Sequence, residues 1–131
     1  MLKLLLLPGA GSWPTARAWL AQFPGSKLGV TAAVTDRRSH AVHQWVRQVS
    51  LRARNAPPQL PMSQVSMQSI LLETDAPYFL PSGVQRQVAL PGDVAHVACQ
   101  VAALKGLAVE EVLAANLASV QQVYGVRLAR E

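Results

Sequence analysis

The sequence holds a single cysteine, Cys99, among 131 residues, so no disulfide can form within the chain. A lone thiol favours a reducing, intracellular home, either cytoplasm or nucleus. One Cys and three His at wide spacing also exclude a zinc finger. Charge is sparse at 15%, and acid is sparser than base: seven Asp and Glu against twelve Lys and Arg leave +5. Half of the residues are apolar, enough for burial to offset chain entropy, which excludes wholesale disorder. The basic excess fits a polyanionic partner, because neutralising phosphates releases their counterions. It fits equally a surface of scattered charge. Long apolar runs are missing too. Leu4, Leu5, Leu6 and Leu7 fall short of the roughly 7–15 residues of a secretory signal core, and Pro8, Gly9 and Gly11 interrupt the run. Nothing approaches the ~20 apolar residues of a membrane span. The expectation is a soluble chain without a membrane partner, and its length suits one domain at most.

What is present is periodic. Ser12 caps a helix whose apolar face is Ala16, Trp19, Leu20 and Phe23, and Pro24-Gly25 ends it. Residues 27–35 form a β-branched run of the kind that makes a strand buried on both faces. Ser39 offers a second N-cap, and Val42, Trp45, Val46 and Val49 mark a buried stripe with His40, His43, Arg47 and Gln48 off it. Residues 70–74 read as a second buried strand with Asp75 at its C-terminal end. Pro91 suits the first turn of a third helix, which faces the core with Val94, Val97, Ala98, Val101 and Leu104 and closes at Lys105-Gly106. Glu110 and Glu111 open a last helix, expected to bury Val109, Val112, Leu113, Leu117, Val120 and Tyr124 before Gly125. The order is helix, strand, helix, strand, helix, helix, an α/β pattern with parallel strands. Between the second helix and second strand, residues 52–69 carry Pro57, Pro58 and Pro61 among Ser and Gln, which excludes helix and central strand. The segment reads as a flexible insertion. Its flanks are alike, Gln48-Val49-Ser50-Leu51 and Gln64-Val65-Ser66-Met67, and its removal would leave a loop of ordinary length.

Asp75 carries the chemistry. A carboxylate emerging where a parallel strand ends stands at the face where α/β barrels hold their active sites. Its oxygens suit Mg²⁺, Mn²⁺ or Zn²⁺, although an Asp after a strand is also a common helix N-cap or turn residue. Glu73 is expected to point away from it and to find a buried salt-bridge partner. His40 and His43 lack an Asp, Glu or Cys neighbour, so a solvated helix face is expected in place of a metal pair. His96 lies beside a buried stripe and reads as a packing or solvent-facing residue. Gly9-Ala10-Gly11 lacks the Lys-Ser/Thr of a phosphate-binding loop, and no nucleophile elbow is present. Arg37, Arg38, Arg47, Arg52 and Arg54 form a basic stretch without aromatic interleaving that would support base stacking, Trp45 lying on the buried stripe, which favours a solvated surface over a binding site.

The string Ile70-Leu71-Leu72-Glu73-Thr74-Asp75-Ala76-Pro77-Tyr78 closely resembles the last-strand signature of TatD-type deoxyribonucleases, metal-dependent hydrolases built on a (β/α)8 barrel. Residues 23–31, 94–106, 109–112 and 123–126 are similar to neighbouring stretches of the same family, so the resemblance spans about residues 11–126, broken at 52–69. It implies the C-terminal portion of a TIM-barrel-like hydrolase: a single partial domain over residues 1–131, with about two parallel strands plus four helices in an incomplete barrel. It further implies hydrolysis of DNA phosphodiester bonds, DNA as partner, a divalent metal (Mg, Mn or Zn), and Asp75 as the catalytic, metal-bound aspartate. The family's other ligands, a His-x-Asp pair on the first strand, a mid-barrel Glu and His residues ending the fifth and sixth strands, have no matching positions. Residues 1–11 read as unrelated to the family. Ala89-Leu90-Pro91 and Ser119 stand where the family usually has Asn. Weak or absent metal binding and no activity by this chain alone are therefore expected, unless a second chain completes the barrel. The other reading is a non-catalytic truncated isoform acting as a basic binding or interaction module. With two strands, both sheet edges would stay unpaired, and Val30, Ala32, Ile70 and Leu71 would lose their opposing layer.

Overall fold

The two apolar runs expected to be strands pair with each other. The computed structural model describes residues 4–5, 13–50 and 65–127. Their order is β1 (Leu4–Leu5), α1 (Trp13–Gln22), β2 (Lys27–Val30), α2 (His40–Gln48), β3 (Val49–Ser50), β4 (Val65–Ser66), β5 (Ile70–Leu72), α3 (Val94–Lys105) and α4 (Val109–Tyr124). Short 3₁₀ turns occupy Ala32–Thr35, Met67–Ser69 and Pro91–Asp93. Strands β2 and β5 are parallel, with Leu28 opposite Ile70 and Val30 opposite Leu72. Two-residue β1 adds in parallel to the other side of β2, so the sheet runs β1-β2-β5. The matching Val-Ser flanks of the proline-rich segment pair with each other in register, Val49 with Val65 and Ser50 with Ser66. Residues 65–69 of that segment thus form β4 and a 3₁₀ turn with Met67 buried; residues 52–64 lie outside the described residues, as do most of residues 1–11.

The first strand is shorter than its β-branched run. After Val30 the Thr31 hydroxyl accepts from Ala33 N at 3.3 Å and the Thr35 hydroxyl donates to Ala32 O at 2.7 Å. These local bonds compete with the ladder and curl residues 32–35 into a 3₁₀ turn. On the helix-facing side, Leu28, Val30, Ile70 and Leu72 share one core with Trp45, Val46, Val97, Val101 and Val112. Each such side chain contributes roughly 1.5–3 kcal/mol on burial. Leu71, of opposite parity, is covered as well: Val30, Ala32, Ile70 and Leu71 are each at most 3% exposed, against the expectation that they would lack an opposing layer.

The outer edge of β5, expected to be open, is capped by a helix. Glu73 N donates to Val30 O at 3.0 Å, so the neighbouring Leu72 N points the opposite way. There Asn116 Oδ1 of α4 accepts it at 2.8 Å. One turn on, the buried Ser119 hydroxyl donates to Gln68 O at 3.0 Å. Facing Asn116 and Ser119 toward the edge sets the rotation of α4: Val112 is buried, while Leu113, Leu117 and Tyr124, expected in the core, are exposed. Elsewhere the caps are as the residues dictate. Glu111 accepts from Ala108 N at the start of α4, and Gly106 and Gly125 take left-handed conformations after α3 and α4. Lys105 Nζ donates to the carbonyls of Val46 and Arg47 at 3.3 and 3.2 Å, placing a cation at the negative end of α2.

Candidate active site

Because β2 and β5 are parallel, the chain leaves both at the same end of the sheet. Asp75 lies there, three residues past Leu72 and partly exposed. Its backbone carbonyl closes a turn by accepting from Tyr78 N at 2.7 Å, and the Ala76–Pro77 peptide is cis. Among the described residues nothing donates to its carboxylate. The helix-cap alternative is thus not realised: α3 begins far downstream, and its 3₁₀ lead-in is capped by Asp93, which accepts from Leu90 N at 2.8 Å.

Glu73 departs from expectation. Positions 73 and 75 both lie past the end of β5 at Leu72, and the Asp75 charge reaches Glu73. The Glu73 carboxyl is half-buried and its pKa is pushed up to about 7, first by burial and then by the charge of Asp75. Among the described residues it has no salt-bridge partner. Its short spacing from Asp75 was the signal that would have found this second carboxylate. The two together offer hard oxygen donors at a partly desolvated strand end.

The β5–α3 loop presents Tyr78 and Phe79, 83% and 66% exposed. Several bonds brace it. Ala89 N donates to Pro77 O at 3.1 Å and Val84 N to Pro81 O at 3.2 Å, and Pro81 is fully buried. Arg86 pairs with the buried Asp93 and also donates to Val88 O at 2.9 Å. That guanidinium, with the Leu90 amide, holds the Asp93 carboxyl below the usual carboxylate range. Ser82 N donates to the Thr35 hydroxyl at 2.8 Å, tying the loop to the β2–α2 connection. On that connection Arg38 pairs with Asp36 at 2.9 Å, which lowers the Asp36 pKa to about 2, and Arg37 is exposed.

The remaining candidates are scattered. His40 and His96 are exposed. His43, expected on a solvated face, is buried, and its Nε2 donates to Val34 O at 2.7 Å; the imidazole closes the 3₁₀ turn onto α2. Arg47 is exposed, while Arg52, Arg54 and the Gly9–Gly11 stretch lie outside the described residues. Among the described residues no group of three or more His, Cys, Asp or Glu could hold a metal ion. A cation at Asp75 would therefore keep most of its shell as water or draw ligands from elsewhere.

Comparison with known proteins places these features. The family model described as TatD related DNase matches residues 10–125. The human protein named 3'-5' RNA nuclease TATDN2 is 30% identical over 119 residues, covering 88% of this chain and 14% of the human protein. Among solved structures, the TATD homolog YJJV of Escherichia coli k12 superposes with a TM-score of 0.69 at 26% identity, over 93% of this chain and 40% of that one. The chain thus spans well under two thirds of the length of either relative.

Proposed function

The chain belongs to the TatD related DNase family, and from that premise we propose that it carries the last-strand metal carboxylate of a metal-dependent nuclease acting on DNA phosphodiester bonds. The observation that carries this reading is Asp75 itself: a carboxylate at the C-terminal end of a parallel strand, partly exposed and without a hydrogen-bond donor among the described residues. A structural Asp at such a position would be capped or paired, as Asp93 is. A bound Mg²⁺, Mn²⁺ or Zn²⁺ would supply Lewis acidity and an activated water. Asp75 would hold it through a hard oxygen, with the half-buried Glu73 carboxyl beside it as a second oxygen donor. The lone cysteine supports an intracellular setting, cytoplasmic or nuclear. No helix among the described residues is long and apolar enough to cross a membrane.

Ligand count favours a second reading for the chain acting by itself. One or two carboxylates fix neither the geometry nor the affinity of a divalent ion, so the chain alone is a basic binding module, and catalysis waits on a second chain or segment that brings the missing His and Asp ligands. The decisive test is Asp75→Asn in a context that holds the complete ligand set. Metal-dependent cleavage of DNA and RNA oligonucleotides should collapse while the melting curve is unchanged. Unchanged turnover would remove the case for Asp75.

A further inference from the structure

Two features that are far apart in sequence meet at the C-terminal end of the sheet. The aromatic residue within the basic stretch after β2, Trp45, is buried, yet the fold brings exposed aromatics to Arg37 and Arg38. Ser82 N donates to the Thr35 hydroxyl at 2.8 Å, so the loop carrying Tyr78 and Phe79 is fastened to the connection carrying Arg37 and Arg38. We infer that Tyr78 and Phe79 form a stacking platform for the bases of a single-stranded nucleic acid, with Arg37 and Arg38 tracking its phosphates. The inference rests on the nuclease reading for its ligand class and extends it to the residues that hold the strand.

Exposure is the first argument. Tyr78 and Phe79 are 83% and 66% exposed, although each ring could bury roughly 150–250 Å². Neither makes a ring contact with a described aromatic, whereas Trp19 and Phe23 pack together with centroids 4.3 Å apart. Rigidity is the second. The loop backbone is held at Tyr78 N, Ala89 N and Ser82 N, with Pro81 buried beneath it, so the rings are presented from a braced support and little ordering entropy is left to lose on binding. Placement is the third. Tyr78 is hydrogen-bonded through its backbone to Asp75, which sets a stacked base next to the carboxylate that would handle the adjoining phosphate. Aromatic faces beside a positive track are the general means of holding a single strand without reading its sequence.

The test uses the whole chain with EDTA present, so that binding is read without cleavage. Fluorescence anisotropy would be measured with labelled dT12, rU12 and an abasic strand of equal length. Stacking is worth roughly 1–3 kcal/mol per base, about a 5- to 150-fold change in affinity. The Tyr78→Ala/Phe79→Ala double variant should weaken dT12 or rU12 binding within that range and leave abasic binding within about twofold. Tyr78→Phe should retain the wild-type affinity, and circular dichroism should be the same for all. Arg37→Ala should weaken base-bearing and abasic strands alike and flatten the salt dependence. Equal binding of base-bearing and abasic strands, or a double variant with full affinity for dT12 and rU12, would overturn the platform. So would a double variant that changes only self-association of the chain. None of these failures touches the Asp75→Asn cleavage test, so the platform and the nuclease reading fail separately.

Discussion

Lys27 and Glu73 sit at opposite ends of the same pair of strands, and their surroundings could hardly differ more. At the N-terminal end, the buried Lys27 ammonium donates to Gln68 O and, at 2.6 Å, to Gln122 Oε1. The same Gln68 carbonyl takes the Ser119 hydroxyl. Burial lowers the Lys27 pKa, and neutral acceptors satisfy the charge. At the C-terminal end, Glu73 and Asp75 crowd two carboxylates with no donor among the described residues, and two aromatic rings stand in solvent. One end spends its polar groups on holding β5, the turn before it and α4 together. The other leaves them available. In α/β barrels this division is general, with stability residues below and reactive groups above.

Substitutions can break that comparison, and the largest effect is expected at the open end. Asp75→Asn, in a context with the full ligand set, should lower metal-dependent cleavage by more than about 100-fold, since even residues that merely support a metal ligand are worth 10–100-fold. Its melting temperature should stay unchanged; a large drop in stability would instead make Asp75 a structural residue. The closed end should behave in the opposite way. The Lys27→Ala/Ser119→Ala double variant removes two hydrogen bonds into Gln68 O, and such bonds contribute roughly 0.5–1.5 kcal/mol each. Urea denaturation should show the midpoint falling accordingly, and an unmoved midpoint would mean that this network does not hold α4.

Glu73 sharpens the comparison through pH. Its folded-state pKa of about 7 lies above the ordinary 4.5, so between those values the folded chain binds more protons than the unfolded one. Stability should therefore fall as pH rises from about 4.5 to 7. Glu73→Gln should remove that slope and melt higher than wild type at pH 8. For a half-buried group, screened by water, the gain is on the order of 1 kcal/mol. Identical pH profiles for the two proteins would show that the Glu73 carboxyl is not perturbed. The smallest effect belongs to Asp36→Asn. Its bond to Arg38 is well formed, but Arg38 is 90% exposed, and such surface pairs contribute little. Denaturation should register almost nothing, and a clear drop in the midpoint would mean that the β2–α2 connection depends on this pair.

Local chemistry was legible in the sequence wherever a residue's neighbours along the chain decide its environment. The apolar runs at 28–30 and 70–72, the Val97-Ala98-Val101 stripe and the glycines at 106 and 125 all did what their spacing dictates. The signature around Asp75 was legible by resemblance alone, since an Asp after a strand has several ordinary uses. What was hidden depends on contacts between distant elements. The rotation of α4 follows from Asn116 reaching a strand edge 44 residues away, and no helical period reports that. His43 is buried because the 3₁₀ turn after β2 offers it the Val34 carbonyl; read from α2 alone, it falls among polar residues. The strand over residues 27–35 stopped early because two threonine hydroxyls found local partners. Glu73 was misjudged for a different reason, since its short spacing from Asp75 was available and its burial was not.

The central claim is that Asp75 is a metal carboxylate whose co-ligands are not gathered beside it among the described residues. Manganese-dependent cleavage of end-labelled DNA and RNA oligonucleotides by the purified chain, beside its Asp75→Asn variant, tests that claim most directly. The account predicts no cleavage by either protein above a metal-only control. Metal-dependent cleavage by the wild-type chain that Asp75→Asn abolishes would contradict it, and would show that the chain assembles a complete site from residues beyond Glu73 and Asp75.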